Sequence, residues 1–206
     1  MEKIDGFACD RLYLFVKAEL VPIFFQLLGQ GFKVNVQTGG SIKELLCNQL
    51  GIDEDYLTER IQTIFLNFKV VDDVNSAIVN EGSVLALSGA MPGLVGAILR
   101  SGGYYAAMRS QISHEKTSSS RPQGTAPITL KLLNLIVKEL GPTFLQNGIM
   151  IKGEQLQEFI ESRLEDLKIK CVSVELNDKP VEIDSFRKVD WKTKLVFLQV
   201  KSEQAV

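Results

Sequence analysis

Apolar and polar residues along this chain of 206 positions change period repeatedly, and each change marks an element. Residues 12–25 are rich in aliphatic and aromatic side chains, but Pro22 fixes its own backbone and has no amide to donate. The pattern predicts a strand over 12–16 and an irregular turn after it. Phe32-Lys33-Val34-Asn35-Val36-Gln37 alternates as a half-buried strand does. Beyond the turn Thr38-Gly39-Gly40, Ser41 can cap a helix with Glu44 three residues on, and Ile42, Leu45, Leu46 and Leu50 share one face. A helix over 41–50 follows, stopped by Gly51. Residues 64–66 and 69–71 flank Asn67-Phe68 as a hairpin-like pair, and Asn80-Glu81-Gly82 turns the chain into a strand over 83–87. A short helix is predicted over 94–100.

The same order recurs further on. Glu19-Leu20-Val21-Pro22-Ile23-Phe24-Phe25-Gln26 is matched by Glu139-Leu140-Gly141-Pro142-Thr143-Phe144-Leu145-Gln146. Ile42, Leu45, Leu46 and Leu50 correspond to Leu156, Phe159, Ile160 and Leu164 in a second predicted helix over 155–164. FLNFKVV from Phe65 recurs as ELNDKPV from Glu175, and VLALS from Val84 as KLVFLQ from Lys194. The spacing from Glu19 to Glu139 is too long for a solenoid and implies two related domains in tandem. These are expected at 1–115, ending in a glycine-rich arm over 94–115, and at 128–206, with a polar linker over 116–127. Two strands, a helix and two further strands with a turn before the last is the order of a β-grasp sheet. The expected fold is therefore α+β, two tandem β-grasp (ubiquitin-like) units joined by a glycine-rich helical connector and a polar linker. Residues 128–206 are expected to fold alone as a docking companion.

GSIKELLCNQLGI, FLNFKVVDD and NEGSVLALSGAMPG, in that order and spacing, resemble the ubiquitin-like sulfur-carrier family typified by the small subunit of molybdopterin synthase and the thiamine-pathway sulfur carrier. The resemblance covers residues 33–93 and, through the repeat, extends weakly to 149–200. It implies a β-grasp fold, an adenylating partner enzyme and a flexible tail ending in Gly-Gly whose carboxylate is activated. The matching tail reads Ser88-Gly89-Ala90-Met91-Pro92-Gly93. Pro92 stands where the first glycine would, and the chain runs on past Gly93, so no carboxylate is free there. The leading expectation is a non-catalytic ubiquitin-like protein that binds other proteins. The alternative is a sulfur carrier or protein modifier released by proteolysis after Gly93 or after a second diglycine, Gly102-Gly103. Only then would an adenylating enzyme be a partner.

Composition narrows the remaining classes. With 45% hydrophobic and 23% charged residues and a formal net charge of -2, the chain reads as an ordinary globular protein and not as a nucleic-acid binder. Residues 1–99 hold 7 basic and 12 acidic side chains and residues 100–127 hold 4 and 1, so a basic connector follows an acidic first domain. The start MEKIDGF lacks a basic leader, and the apolar run over 85–99 is too short to span a bilayer; a cytoplasmic place without a membrane partner is expected. Cys9, Cys47 and Cys171 are scattered without a C-x-x-C, and the chain has 1 histidine, so neither a metal site nor a disulfide framework is expected. Asp53-Glu54-Asp55 and Asp72-Asp73 read as turn and cap residues.

No nucleophile pairs with a base by motif, and neither an enzyme nor a cofactor is expected. Gly89, Gly93 and Gly96 after a strand leave a third possibility, a small-ligand or nucleotide site, although their spacing matches neither G-x-G-x-x-G nor G-K-[ST]. The expected contact surface is the arm. Leu94, Val95, Ile98, Leu99, Tyr104, Tyr105 and Met108 give it apolar faces, and Arg100 and Arg109 add positive charge. A protein partner or a second copy of the chain would cover it. The basis for this expectation is that the arm continues past the last predicted strand of the first domain.

Overall fold

The computed structural model describes residues 3–4, 7–109, 124–191 and 194–203. It is a mixed α+β structure. After a short pair, Lys3–Ile4 with Phe7–Ala8, the strands run in chain order β1 Asp10–Val16, β2 Phe32–Gln37, β3 Thr63–Leu66, β4 Lys69–Val70, β5 Val84–Ser88, β6 Thr125–Leu133, β7 Ile149–Lys152, β8 Cys171–Leu176, β9 Lys179–Pro180 and β10 Leu195–Ser202. The α-helices are α1 Phe25–Gln30, α2 Glu54–Glu59, α3 Gly93–Leu99, α4 Asn134–Asn147 and α5 Gly153–Lys170. A π-helical stretch covers Glu44–Gln49, and 3-10 stretches cover Ala18–Phe24, Tyr104–Arg109 and Ile183–Lys188. Among the described residues no helix is long and apolar enough to cross a membrane.

Two compact units divide the chain, and one of them is discontinuous: residues 33–139 form one, residues 1–32 and 140–206 the other. The sequential division at 1–115, 116–127 and 128–206 groups the chain differently. Residues 116–123 of the expected linker lie outside the described residues, and Thr125 already opens β6. Residues 128–206 hold β7, β8, β9 and β10 of their unit but not β1.

In the unit of residues 33–139 the described strands stand in the order β2-β6-β5-β3-β4. The central pair, β5 and β6, is parallel, with Leu85 opposite Leu130 and Leu87 opposite Leu132. β3 flanks β5 antiparallel, with Ile64 opposite Leu87 and Leu66 opposite Leu85. These six side chains are buried, as are Ile42, Leu45 and Leu46 of the helical segment that begins at Ser41. Burying each such side chain is worth roughly 1.5–3 kcal/mol. The segment starts as its sequence requires: the Glu44 N–H donates to Ser41 Oγ at 3.2 Å, and the Ser41 N–H donates to Glu44 Oε2 at 2.8 Å. It then widens, the Leu50 N–H reaching back to the Leu45 carbonyl at 3.0 Å.

Parallel neighbours cannot be joined by a tight hairpin. The passage from β5 to β6 therefore needs a long crossover, and residues 89–124 provide it. The arm lies inside this crossover. The expectation that the first domain's strands end before the arm is thus corrected, because the sheet of this unit is incomplete until β6 has been added beside β5.

The other unit repeats the arrangement, its described strands standing in the order β9-β8-β1-β10-β7. Its central pair, β1 and β10, is again parallel, with Leu12 opposite Leu198 and Leu14 opposite Val200. Leu156, Phe159, Ile160, Leu164 and Leu167 of α5 are buried, and α5 packs on β7, β8 and β10. The Lys152 N–H donates to Gln155 Oε1 at 3.2 Å, the counterpart of half the Ser41–Glu44 box. The 12–16 strand is seen as β1, whereas the irregular turn expected after it is a 3-10 stretch containing Pro22 and leading directly into α1. The short helical hydrogen-bond pattern tolerates the proline, whose carbonyl accepts from the Phe25 N–H.

Matched hairpins fix which strands correspond. Asn67-Phe68 and Asn177-Asp178 are two-residue turns with positive φ at both positions, joining β3 to β4 and β8 to β9 in the same register. The Asn67 N–H donates to the Val84 carbonyl at 2.8 Å, and the Asn67 side-chain oxygen accepts from the Val84 N–H at 2.8 Å. Asn177 makes the same two bonds to Arg11, at 2.8 and 2.9 Å. β1 therefore occupies in its unit the place that β5 occupies in the other, and β10 corresponds to β6. The sequence match of Val84-Leu85-Ala86-Leu87-Ser88 with the segment from Lys194 is corrected accordingly.

Candidate functional site

Ser88, at the end of β5, is fully buried and its Oγ accepts from Asn134 Nδ2 at 2.8 Å, while its carbonyl accepts from the Gln62 N–H at 3.1 Å. The segment that matches the carrier tail is thus held at its root. Pro92 caps α3 with extended backbone, and Gly93 takes φ +78°, a conformation that favours glycine. Gly96 admits nothing larger, since a Cβ there would lie 1.9 Å from the Met91 carbonyl oxygen. Gly89 has ordinary space around it. The glycines of this stretch serve a helix folded tightly on its own entry. Cleavage after Gly93 or Gly103 would cut the crossover that delivers β6.

Past α3 the arm is fastened to Asp72 and its surroundings. The Ser101 N–H donates to the Gln62 carbonyl at 2.9 Å, and its hydroxyl lies 3.2 Å from the carbonyls of both Val71 and Asp72. The Gly102 N–H donates to Asp72 Oδ1 at 3.2 Å with Gly102 at φ +63°, and the Gly103 N–H closes onto the Arg100 carbonyl at 3.2 Å. Arg109 lies with its side chain fully buried; its guanidinium pairs with Asp72 and also donates to the Arg100 carbonyl at 3.1 Å. The second diglycine is thus a turn in an arm pinned at two points, Gly102 and Arg109, by one carboxylate. Arg109 is spent inside its own unit, whereas Arg100 is exposed.

That anchorage leaves apolar groups facing water. Leu94 and Val95 are about two-thirds exposed, Met108 is 73% exposed and Tyr104 is 93% exposed, its ring standing edge-on to Tyr105. Tyr105 is 36% exposed, and Ile98 and Leu99 are half-buried. The structure brings Leu94, Val95, Tyr104 and Met108 together as exposed groups on one arm and separates from them Arg109, which holds the arm down. Residues 110–112, the rest of the expected segment, lie outside the described residues.

Beside the arm runs an open cleft of about 520 Å³. Arg100, Ser101 and Gly102 line one side, α2 the other, and Leu57, Ile61, Ile64 and Val74 give it an apolar floor. At one end Lys43 pairs with Glu54, and that bond holds the ammonium above the ordinary lysine range. Asp53 caps α2, its Oδ1 accepting from the N–H groups of Asp55 and Tyr56 at 2.8 and 3.2 Å. Asp73 accepts from the Asn75 N–H at 3.0 Å. Both were legible as capping residues. The role of Asp72 was not, because its partners Gly102 and Arg109 lie some thirty positions on and no local pattern links them. Among the described residues no group of three or more His, Cys, Asp or Glu could hold a metal ion. No protein-family model, no curated protein and no solved structure matches the chain.

Proposed function

We propose that the chain is a non-catalytic, ubiquitin-like scaffold of two β-grasp units that binds another protein through the arm. The β-grasp reading is supported by the two strand orders, each with a parallel central pair, antiparallel flanks and a helical segment leading from one outer strand to the hairpin on the other side. The observation that carries the binding reading is the exposure of Leu94, Val95, Tyr104 and Met108 on a backbone tied down by Asp72 and Arg109. A loose arm could turn these groups inward; a pinned one presents them, and a monomer gains nothing from an apolar patch in water. A partner that buries them would gain most from Tyr104, since aromatic anchors dominate such interfaces. The likeness of residues 33–93 to sulfur carriers agrees with this reading, the arm standing where an activated tail would be.

Affinity capture from native extract, comparing the full chain with Leu94→Asp, Met108→Asp, tests the reading. The parent should retain a discrete protein that the variant loses while both stay folded. Equal capture by both would remove the arm as the binding surface.

A further inference from the structure

The cleft beside the arm holds a charge that its own unit leaves unanswered. Four charged residues line it, and three of them are matched: Glu54 pairs with Lys43, and Asp72 pairs with the buried Arg109. Arg100 is the fourth, exposed and without an ion pair among the described residues. Its backbone is nevertheless fixed. The Arg100 N–H donates to the Gly96 carbonyl at 3.1 Å, and its carbonyl accepts from the Gly103 N–H at 3.2 Å and from the Arg109 guanidinium at 3.1 Å. The other wall is held as well, α2 being bound through Tyr56 and Arg60 to Glu139. A site whose walls are already ordered loses little freedom when a ligand arrives.

We infer that the cleft binds a small organic acid, its carboxylate on Arg100 and its compact apolar body on Leu57, Ile61, Ile64 and Val74. The volume of about 520 Å³ falls within the roughly 300–1,000 Å³ of small-ligand pockets. Guanidinium and carboxylate match as a two-pronged hydrogen-bonded pair. Charge decides the class of ligand. With Glu54 cancelled by Lys43 and Asp72 by Arg109, Arg100 leaves the cleft singly positive, and a monoanion neutralises it. A dianion such as a phosphate ester would leave a negative charge beside two carboxylates. An acid without an apolar body would forgo the contribution of the floor. The site does not use Leu94, Val95, Tyr104 or Met108, so it stands or falls separately from the arm's part in binding a protein.

Titration of the full chain with naphthylacetate, followed by amide NMR and calorimetry, is the test. The amides of Thr58, Ser101 and Gly102 should shift and saturate. Naphthylethanol, the same body without the charge, acetate, the charge without the body, and naphthyl phosphate should all bind more weakly. Arg100→Gln should weaken the acid by about 5- to 30-fold and leave the alcohol unchanged. Thr58→Trp, which crowds the cleft, should weaken both, and Leu94→Asp, Met108→Asp should weaken neither. Shifts that never saturate or that lie away from the cleft overturn the inference, as does a phosphate ester that binds more tightly than the acid. An Arg100→Gln variant that spares the acid, or that weakens acid and alcohol alike, overturns it too.

Discussion

Asn67 and Asn177 grip their neighbours with the same pair of hydrogen bonds, yet the strands they grip reach them by different routes. In the unit of residues 33–139, Asn67 holds the first residue of β5, which follows it closely in the chain. In the other unit, Asn177 holds Arg11 in β1, from the far end of the chain. The sheet position is the same and the connectivity is not. What such a sheet specifies is a set of registers, with a parallel pair in the middle. Which segment fills a position depends on apolar alternation and reach. β1 and β5 both present apolar residues to their parallel partners, and that is enough to make either a central strand.

The sharpest way to break this comparison is to cut the chain between its sequence repeats. Residues 1–124 lack β6 and residues 125–206 lack β1, so each piece should be unfolded alone by circular dichroism and should regain structure only on mixing. Residues 33–139, which hold every described strand of their unit, should unfold cooperatively on their own. Cooperative unfolding of isolated residues 125–206 would show that β1 is dispensable and that the units follow the sequence repeats after all.

A smaller effect separates two corresponding glycines. At Gly153 a Cβ would lie 1.8 Å from the Trp191 carbonyl oxygen, a backbone atom beneath the buried indole, so Gly153→Ala should destabilise by about 1–3 kcal/mol or more. At Gly40 the nearest atom is Glu44 Oε2 at 2.8 Å, the far end of a flexible side chain that need give up only its bond to the Ser41 N–H, and Gly40→Ala should cost about 1 kcal/mol or less. Urea denaturation of the two variants decides; equal effects would mean that the two helix starts are packed alike.

The smallest expected effect is electrostatic and confined to one unit. Arg60, by hydrogen bonding, and then Tyr56, whose hydroxyl donates at 2.7 Å, hold the Glu139 carboxyl below its ordinary value of 4.5. A lowered carboxylate pKa contributes stability that is complete above the ordinary value and lost as pH falls through the folded one. Glu139→Gln should therefore flatten the acid side of the stability profile below pH 4.5 and leave the neutral side little changed, the difference shrinking in high salt because the cluster is exposed. An unchanged acid slope would show that the cluster contributes nothing to folding.

How far the sequence could be read follows the range of the interactions. The capping box at Ser41, the corresponding buried stripes Leu45-Leu46 and Phe159-Ile160, and the turn at Asn67 are local, and each was legible. The placement of β1 and β6 was not, because alternation marks a strand without naming its neighbour. The same limit hid the site. The apolar residues of the arm could be picked out by composition, but their exposure depends on Asp72, and the burial of Arg109 depends on a contact that no spacing announces.

The parallel pairing of β1 with β10 also sets a timetable. On a ribosome the chain emerges from its amino end, so the unit of residues 33–139 can close once β6 has appeared, while β1, made earlier, still has no central partner. The antiparallel partner of β1 appears only with Cys171–Leu176 and its parallel partner only with Leu195–Ser202, and until then β1 is available to any other open strand edge. Completion of this unit therefore waits for β10, and a product truncated before it would expose an aggregation-prone edge that the completed sheet conceals.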